Sequence, residues 1–80
     1  MPDDLKTAKK VVGAKQLRRA LNEGRVIKAY FAEDADPMLT QPLEALCKEA
    51  SVAVCHVPTM KELGGSCGIK VGAACAAVVQ

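Results

Sequence analysis

The sequence is organised around the stretch GAKQLRRALNEG, which occupies residues 13–24. Leu17, Ala20 and Leu21 recur there at the spacing of one helix face, so we expect a short helix that turns these residues towards a core. The glycine before the helix lets another backbone approach its start, and the glycine after it suits the left-handed turn that ends many helices.

Polar side chains occupy the opposite face of this predicted helix. Lys15, Arg18, Arg19 and Asn22 recur at helical spacing, and three of these four are positively charged. The first amide groups of a helix lack intrahelical partners, and the helix dipole adds partial positive charge at that end. Because no carboxylate lies nearby, this helix start suits an anion, and phosphate above all. A plain solvated helix face is the alternative interpretation.

Charge is distributed unevenly along the chain. Residues 1–28 contain eight Lys/Arg and three Asp/Glu, a balance of +5, whereas residues 29–80 contain three Lys/Arg and six Asp/Glu, a balance of −3. This polarity predicts one basic face and a polyanionic partner, with an ordinary solvated surface as the alternative.

The composition predicts a single domain over residues 1–80, because half of the 80 residues are hydrophobic. The polar N-terminus does not resemble a signal peptide, and no apolar run approaches the roughly 20 residues of a membrane span, so we expect a cytoplasmic protein. The cysteines form no CxxC pair and are accompanied by one histidine, which favours free thiols over a zinc site. They are Cys47, Cys55, Cys67 and Cys75.

Helices and strands alternate in the predicted element order, beginning with a short helix over residues 1–10. Strands are predicted at residues 11–12, 26–32, 52–57 and 73–79, the middle two buried on both faces and the last central in the sheet. Strict alternation predicts an α/β fold with a four-stranded, mainly parallel sheet between helices. The loops that leave the first three strands should then meet at one edge of the sheet.

Start signals mark the two later helices. Asp36 can cap a helix whose first residue is Pro37, but Pro42 leads us to expect the helix proper near Thr40, with this second proline in its first turn. Residues 59–62 match a capping box and open a further helix, which closely following glycines keep short.

Three acids, Glu33, Asp34 and Asp36, follow the second long apolar run. Such a cluster can hold Mg²⁺ or accept a phosphoryl group, as in response-regulator receivers. No second acidic cluster completes such a site, so we expect no metal. His56 has no nucleophile to pair with and is interpreted as structural.

Two further features bear on binding. Lys28 and Lys70 could extend a phosphate surface. Ile69 and Val71 are core residues by type, but the glycines around them could instead expose them as an apolar lip. With one Tyr, one Phe and no Trp, the chain has no aromatic platform for stacking bases. A helix end and loops would remain to read RNA, and they need a distorted target, because the major groove of regular RNA is deep and narrow.

Four runs together resemble the kink-turn-binding ribosomal protein family, including its small bacterial members. They are GAKQ at residues 13–16 with Arg19, AEDADP at 32–37, MKELG at 60–64 and GIKVGAA at 68–74. The similarity extends from about Ala8 to the end of the chain.

The resemblance implies a three-layer α/β/α sandwich that binds a kink-turn, a sharply bent duplex with sheared G·A pairs beside a bulge. In the family, a Gly-x-Asn-Glu run contacts those pairs, and a late loop closes over a flipped-out nucleotide. Lys15 and Gln16 stand here in place of the asparagine and glutamate. The RNA-binding residues expected are Gly13, Ala14, Lys15, Gln16, Arg18, Arg19, Glu33, Asp34, Ile69, Lys70, Val71, Gly72 and Ala73.

The leading hypothesis is therefore a non-catalytic, monomeric protein that binds kink-turns in ribosomal RNA, a riboswitch or a similar RNA. It would use no cofactor, metal, small-molecule substrate or membrane. The alternatives are a protein-interaction or regulatory module of the same architecture, and a phosphoryl-accepting switch centred on Asp34 or Asp36.

Overall fold

The computed structural model describes residues 9–80, which form four strands and three helices. The strands are β1 (Lys10–Val12), β2 (Val26–Ala32), β3 (Ala53–Val57) and β4 (Cys75–Val79), and the helices are α1 (Ala14–Asn22), α2 (Pro37–Glu49) and α3 (Met60–Cys67). The predicted alternation is confirmed over this part of the chain. The helix predicted for residues 1–10 lies outside the described residues up to residue 8, and Lys10 already belongs to β1.

The sheet is mixed, with strand order β1-β4-β2-β3. β2 pairs with β3 in parallel, whereas β4 is antiparallel to both β1 and β2. A four-stranded mixed sheet was expected, but the expected predominance of parallel pairs was wrong, because β4 runs against both of its neighbours. β1, β2 and β3 therefore end at the same edge of the sheet, where β4 begins, and the expected meeting of their exit loops is confirmed.

Helices cover both faces of this sheet, as the predicted three-layer sandwich requires. Side chains alternate along β2, so that Phe31 faces α1 and α2 while Tyr30 faces α3. The core under α1 and α2 contains Leu17, Ala20, Ala29, Phe31, Leu43, Cys47, Cys75, Ala77 and Val79. The core under α3 contains Tyr30, Ala32, Ala35, Val57, Leu63, Cys67, Ala73, Ala76 and Val78. Among residues 9–80, no helix combines the length and apolarity of a membrane span.

The strands differ in burial according to their place in the sheet. Every residue of β4 is buried, which confirms the prediction of a central strand of small side chains. β3 is an outermost strand of the sheet, and its Ala53 and His56 are exposed. Ala53 and His56 lie on opposite faces of β3, so the expectation that β3 would be buried on both faces was wrong.

The start of α2 also differs from the expectation. The Asp36 carboxylate accepts a hydrogen bond from the Met38 amide at 2.9 Å, and the helix begins at once with Pro37 rather than near Thr40. Pro42 consequently lies inside the helix, where it cannot donate to the carbonyl of Met38. Both residues are exposed, so water can satisfy that carbonyl.

α3 begins as predicted and runs through two glycines. The Thr59 hydroxyl accepts a hydrogen bond from the Glu62 amide at 3.1 Å, and Gly68 ends the helix in the left-handed conformation. A methyl group on Gly64 would lie 2.1 Å from the carbonyl oxygen of Val71, whereas one on Gly65 would meet nothing within 4 Å. The loop after α3 therefore packs directly on the helix at Gly64.

Replacement of the two glycines by alanine should have opposite effects on stability. Gly64→Ala should lower the free energy of unfolding by about 1–3 kcal/mol, because the methyl group overlaps the backbone of the loop. Gly65→Ala should raise it by up to about 1 kcal/mol, because alanine favours the helix and meets no neighbour. Urea titration measures both, and equal effects of the two substitutions would contradict this packing.

The buried thiol of Cys75 should make stability depend on alkaline pH. Burial raises the pKa of Cys75 from its ordinary 9.0 to about 11. Above pH 9 the unfolded chain can lose this proton while the folded chain keeps it, so the stabilisation present below pH 9 should be lost between pH 9 and 11. Cys75→Ala should flatten this part of the stability–pH curve, and an unchanged slope would show that other groups cause the decline.

Candidate nucleic-acid interface

α1 starts at the sheet edge and is fixed there through Gly13. This residue has φ 98° and ψ 156°, a conformation that favours glycine. Its amide donates to the carbonyl of Cys75 at 2.9 Å, and its carbonyl accepts from Leu17 at 3.0 Å. The helix start is therefore tied to the first residue of β4. A methyl group on Gly13 would meet nothing within 4 Å, so the close backbone approach predicted at this glycine was wrong, and its positive φ is what favours glycine here.

No side chain of the described residues caps the start of α1. Its first turn contains no acidic residue, and no side-chain hydrogen bond reaches the cap position. The amides of Ala14, Lys15 and Gln16 precede the first intrahelical bond, so α-helix geometry leaves them without partners within the helix. They join the positive end of the helix dipole and can donate to an anion.

The charged face of α1 is exposed, as expected. Lys15, Gln16, Arg18 and Arg19 all lie on the surface, while Leu17 turns into the core. Gln16 and Lys15 lie in the first turn, and Arg19 follows one turn later. The side chains of Lys15, Gln16, Arg18 and Arg19 and the first amides of α1 therefore form one surface. We call it the basic helix face.

The acidic corner that follows β2 contributes helix caps. The Asp34 carboxylate accepts a hydrogen bond from the Met60 amide, the first of α3, at 2.8 Å. Asp36 caps α2, as the sequence predicted. Glu33 is exposed, and its amide donates to the Val57 carbonyl at 2.7 Å. The role of Asp34 was missed, because its partner lies 26 residues further along the chain and no local motif connects them.

The loop of residues 69–74 closes the same edge. Its ends are fixed, since Ile69 donates its amide to the carbonyl of Gly64 at 3.1 Å and Ala73 donates to Met60 at 3.0 Å. Ile69 and Val71 are 36% and 70% exposed, so the interpretation as an apolar lip is confirmed over that as core residues. Lys70 and Gly72 are also exposed.

Ala73 differs from the other expected contact residues. It is only 4% exposed and packs in the core under α3. Its methyl group therefore cannot form part of an exposed binding surface. The expectation of an exposed contact at Ala73 was therefore wrong. Ala73 anchors the loop in the core, whereas residues 69–72 are exposed.

Backbone hydrogen bonds connect these segments across the edge. Gly13 reaches Cys75 at 2.9 Å, and the amide of Ala32 donates to the carbonyl of Ala74 at 2.9 Å. Glu33 and Asp34 then link the end of β2 to the end of β3 and to α3. The helix start, the acidic corner and the loop therefore lie side by side, although they are far apart in sequence.

Two residues considered at the sequence level lie elsewhere. Lys28 lies near the start of β2 on the same face as Tyr30, opposite α1, with its Nζ atom 5.3 Å from the centre of the Tyr30 ring. Interaction with Tyr30, and secondarily with Cys55, raises the pKa of Lys28. His56 Nε2 pairs with the Glu44 carboxylate of α2, in keeping with a structural role. Lys28 therefore does not extend the basic helix face.

The structure adds apolar surface that sequence reasoning missed. Met38 and Leu39, at the start of α2, are exposed. Leu39 lines a shallow depression together with Ala14, Lys15 and Arg18 of α1. Thr40, the residue after Leu39, is buried instead.

The four cysteines are free thiols, as expected. Burial raises the pKa of Cys47 and Cys67 as well as that of Cys75. Within residues 9–80, no three His, Cys, Asp or Glu side chains come together in a way that could hold a metal ion.

The fold and this edge define a class of α/β/α protein that presents an uncapped, cationic helix start beside an apolar loop. The chain belongs to the Ribosomal protein L7Ae/L30e/S12e/Gadd45 family, whose model matches residues 1–80. The family resemblance drawn from the sequence is therefore confirmed.

Several bacterial proteins are similar to this chain over almost their whole length. An RNA-binding protein from Geobacillus sp. (strain WCH70) is 46% identical over 76 residues, which cover 95% of this chain and 93% of that protein. The RNA-binding protein YbxF from Geobacillus stearothermophilus is 43% identical over the same length and coverage.

A solved structure shows the same fold at lower identity. The 15.5kD RNA binding protein of Giardia lamblia superposes with a TM-score of 0.83 at 24% identity, covering 89% of this chain and 60% of that chain.

Loss of the Asp34 cap should destabilise the fold. Asp34→Ala should lower the free energy of unfolding by about 1 kcal/mol, because the first amide of α3 loses its acceptor. Glu33→Ala is the matched control, since this neighbouring carboxylate is exposed and makes no hydrogen bond within residues 9–80. Urea titration distinguishes them, and equal stability of the two variants would contradict the capping role.

Proposed function

We propose that this protein is a non-catalytic, cytoplasmic RNA-binding protein that recognises and stabilises kink-turns, in association with the ribosome or with a riboswitch. One observation carries the proposal: the uncapped, cationic start of α1 lies beside an exposed apolar loop at a single edge of the sheet. The similarity to bacterial RNA-binding proteins at 43–46% identity supports the nucleic-acid partner.

Phosphate neutralisation is the first part of the proposed mechanism. A kink brings the phosphates of two helical arms close together, and their repulsion opposes the bend. The amides of the first turn of α1 and the side chains of Lys15, Arg18 and Arg19 supply positive charge over a short length of surface. Binding then shifts RNA towards a bent population that already exists.

Base recognition is the second part. Lys15 can donate to the O6 and N7 atoms of guanine, although it does so as a point charge rather than a fork. Gln16 can both donate and accept, which suits the edge of a sheared G·A pair. Both side chains are exposed in the first turn, next to the amides that would hold the phosphates.

The loop supplies the third part. Ile69 and Val71 offer apolar surface for a nucleotide that the bulge has extruded, and Lys70 between them can meet its phosphate. Base stacking on aromatic side chains is not available, because Tyr30 and Phe31 are only 1% and 0% exposed and the chain has no tryptophan. An aliphatic lip is therefore the surface against which such a base would pack.

The shape of this edge also favours a distorted target. A regular RNA duplex has a major groove too deep and narrow for side chains to read. Tandem non-Watson–Crick pairs and a kink widen the groove, so that a helix end can approach the base edges. A protein that reads with a helix start and a loop is suited to such a site. It would act here as a monomer without cofactor.

A kink-turn duplex and a matched control duplex test this function. The wild-type protein should bind a fluorescent kink-turn tightly, and the affinity should fall by at least about 30-fold when two G·A pairs are replaced by Watson–Crick pairs, since each mismatched pair costs about 1–3 kcal/mol. Fluorescence titration at fixed salt measures both. Equal, weak binding to the two duplexes would contradict kink-turn recognition and would favour the protein-interaction alternative.

A further inference from the structure

Two arginines converge on one carboxylate at the far end of the basic helix face. The Glu23 Oε1 atom lies 3.1 Å from Nη1 of Arg25, and its Oε2 atom lies 3.9 Å from Nε of Arg19. Glu23 thus stands between two guanidinium groups, one from α1 and one from the residue after the glycine that follows α1. We call these three residues the two-arginine site.

The backbone fixes Arg25 although it lies beyond α1. Its amide donates to the carbonyl of Ala20 at 3.0 Å, and its carbonyl accepts from the amide of Gln80 at 2.9 Å. The residue is therefore held between the end of α1 and the end of β4. The backbone of Arg25 therefore has a defined position, from which its guanidinium group pairs with Glu23.

The site continues the basic helix face. Gln16, Arg19, Ala20, Glu23 and Arg25 line one shallow depression, so Arg25 shares a surface with Gln16 of the first turn. Lys15, Arg19 and Glu23 follow one another at intervals of one turn, or about 6 Å. The two-arginine site therefore begins at Arg19, which is one of the residues proposed to hold the kink-turn phosphates, and extends that surface to Arg25.

The ion pairs of this site are easily exchanged. The side chains of Arg19, Glu23 and Arg25 are 83%, 43% and 45% exposed. Ion pairs in such surroundings contribute little and are screened by salt. A phosphate oxygen pair can replace a carboxylate between guanidinium groups, because arginine binds both anions through the same fork of donors. A phosphate bound by both arginines would be a stronger ligand than the carboxylate of Glu23.

We propose that Arg19 and Arg25 together bind a further RNA phosphate, and that Glu23 competes with this phosphate for the same two side chains. This inference rests on the proposed RNA-binding function. It adds Arg25 to the phosphate-binding residues and makes Glu23 an internal competitor that weakens binding. In the free protein the carboxylate holds the arginines, and in the complex it turns towards solvent.

The test uses the full chain and a fluorescent kink-turn duplex titrated at several salt concentrations. Arg25→Ala should weaken binding about two- to fivefold and reduce the slope of log affinity against log salt by about one. Glu23→Gln should strengthen binding by a similar factor, because it removes the competing charge and keeps the side-chain shape. Thermal unfolding of each variant checks that the fold is retained.

Matched controls separate the local effect from a change in net charge. Lys48→Ala removes one positive charge and Glu49→Gln one negative charge at the exposed end of α2. Both controls should bind like the wild type. If Arg25→Ala behaves like Lys48→Ala, or if Glu23→Gln weakens binding, the two-arginine site is overturned. If the wild type binds no kink-turn at all, the proposed function fails first, so the two failures are distinguishable.

Discussion

The antiparallel pairing of β4 with both β1 and β2 is the constraint on which the arrangement of this molecule depends. Because β4 runs against its neighbours, it must start at the edge where they end. The loop that leads into β4 is thereby brought beside the start of α1, and the hydrogen bond from Gly13 to Cys75 joins the two directly. A parallel β4 would put this loop at the opposite edge of the sheet.

The same arrangement of strands and helices determines which helix starts receive an acidic cap. The carboxylates of Asp34 and Asp36 are used as caps of α3 and α2, whereas α1 receives no cap from the described residues. The helix that keeps its partial positive charge is also the one with a cationic face. The carboxylates of Asp34 and Asp36 are therefore directed at the amides of other helices.

Local signals in the sequence were sufficient for most of the secondary structure. The helical spacing of Leu17 and Ala20 and the cap at Thr59 located their helices because such signals act within a few residues. The direction of β4 was not predictable in this way, since it depends on pairing with strands more than 40 residues away in sequence. The early start of α2 was missed because a proline inside a helix is unfavourable, yet Asp36 and Pro37 start the helix ahead of Pro42.

The candidate site was predictable to the same extent. Exposure of Lys15, Arg18 and Arg19 followed from helix periodicity, whereas Gln16 was expected from the family resemblance. The burial of Ala73 and the cap at Asp34 depend on tertiary contacts and left no local signal. The exposure of Ile69 and Val71 was only partly predictable. The surrounding glycines favoured exposure, whereas the residue types favoured burial in the core.

The burial of Tyr30 determines what optical spectroscopy can observe in this protein. It is the sole tyrosine of a chain without tryptophan, and it lies in the core under α3. Its fluorescence therefore reports on the α3 side of the sheet, whereas α1 and α2 on the other side contain no tyrosine. A ligand that occupies the face of α1 would leave the intrinsic emission nearly unchanged, and its binding would be visible only through the ligand.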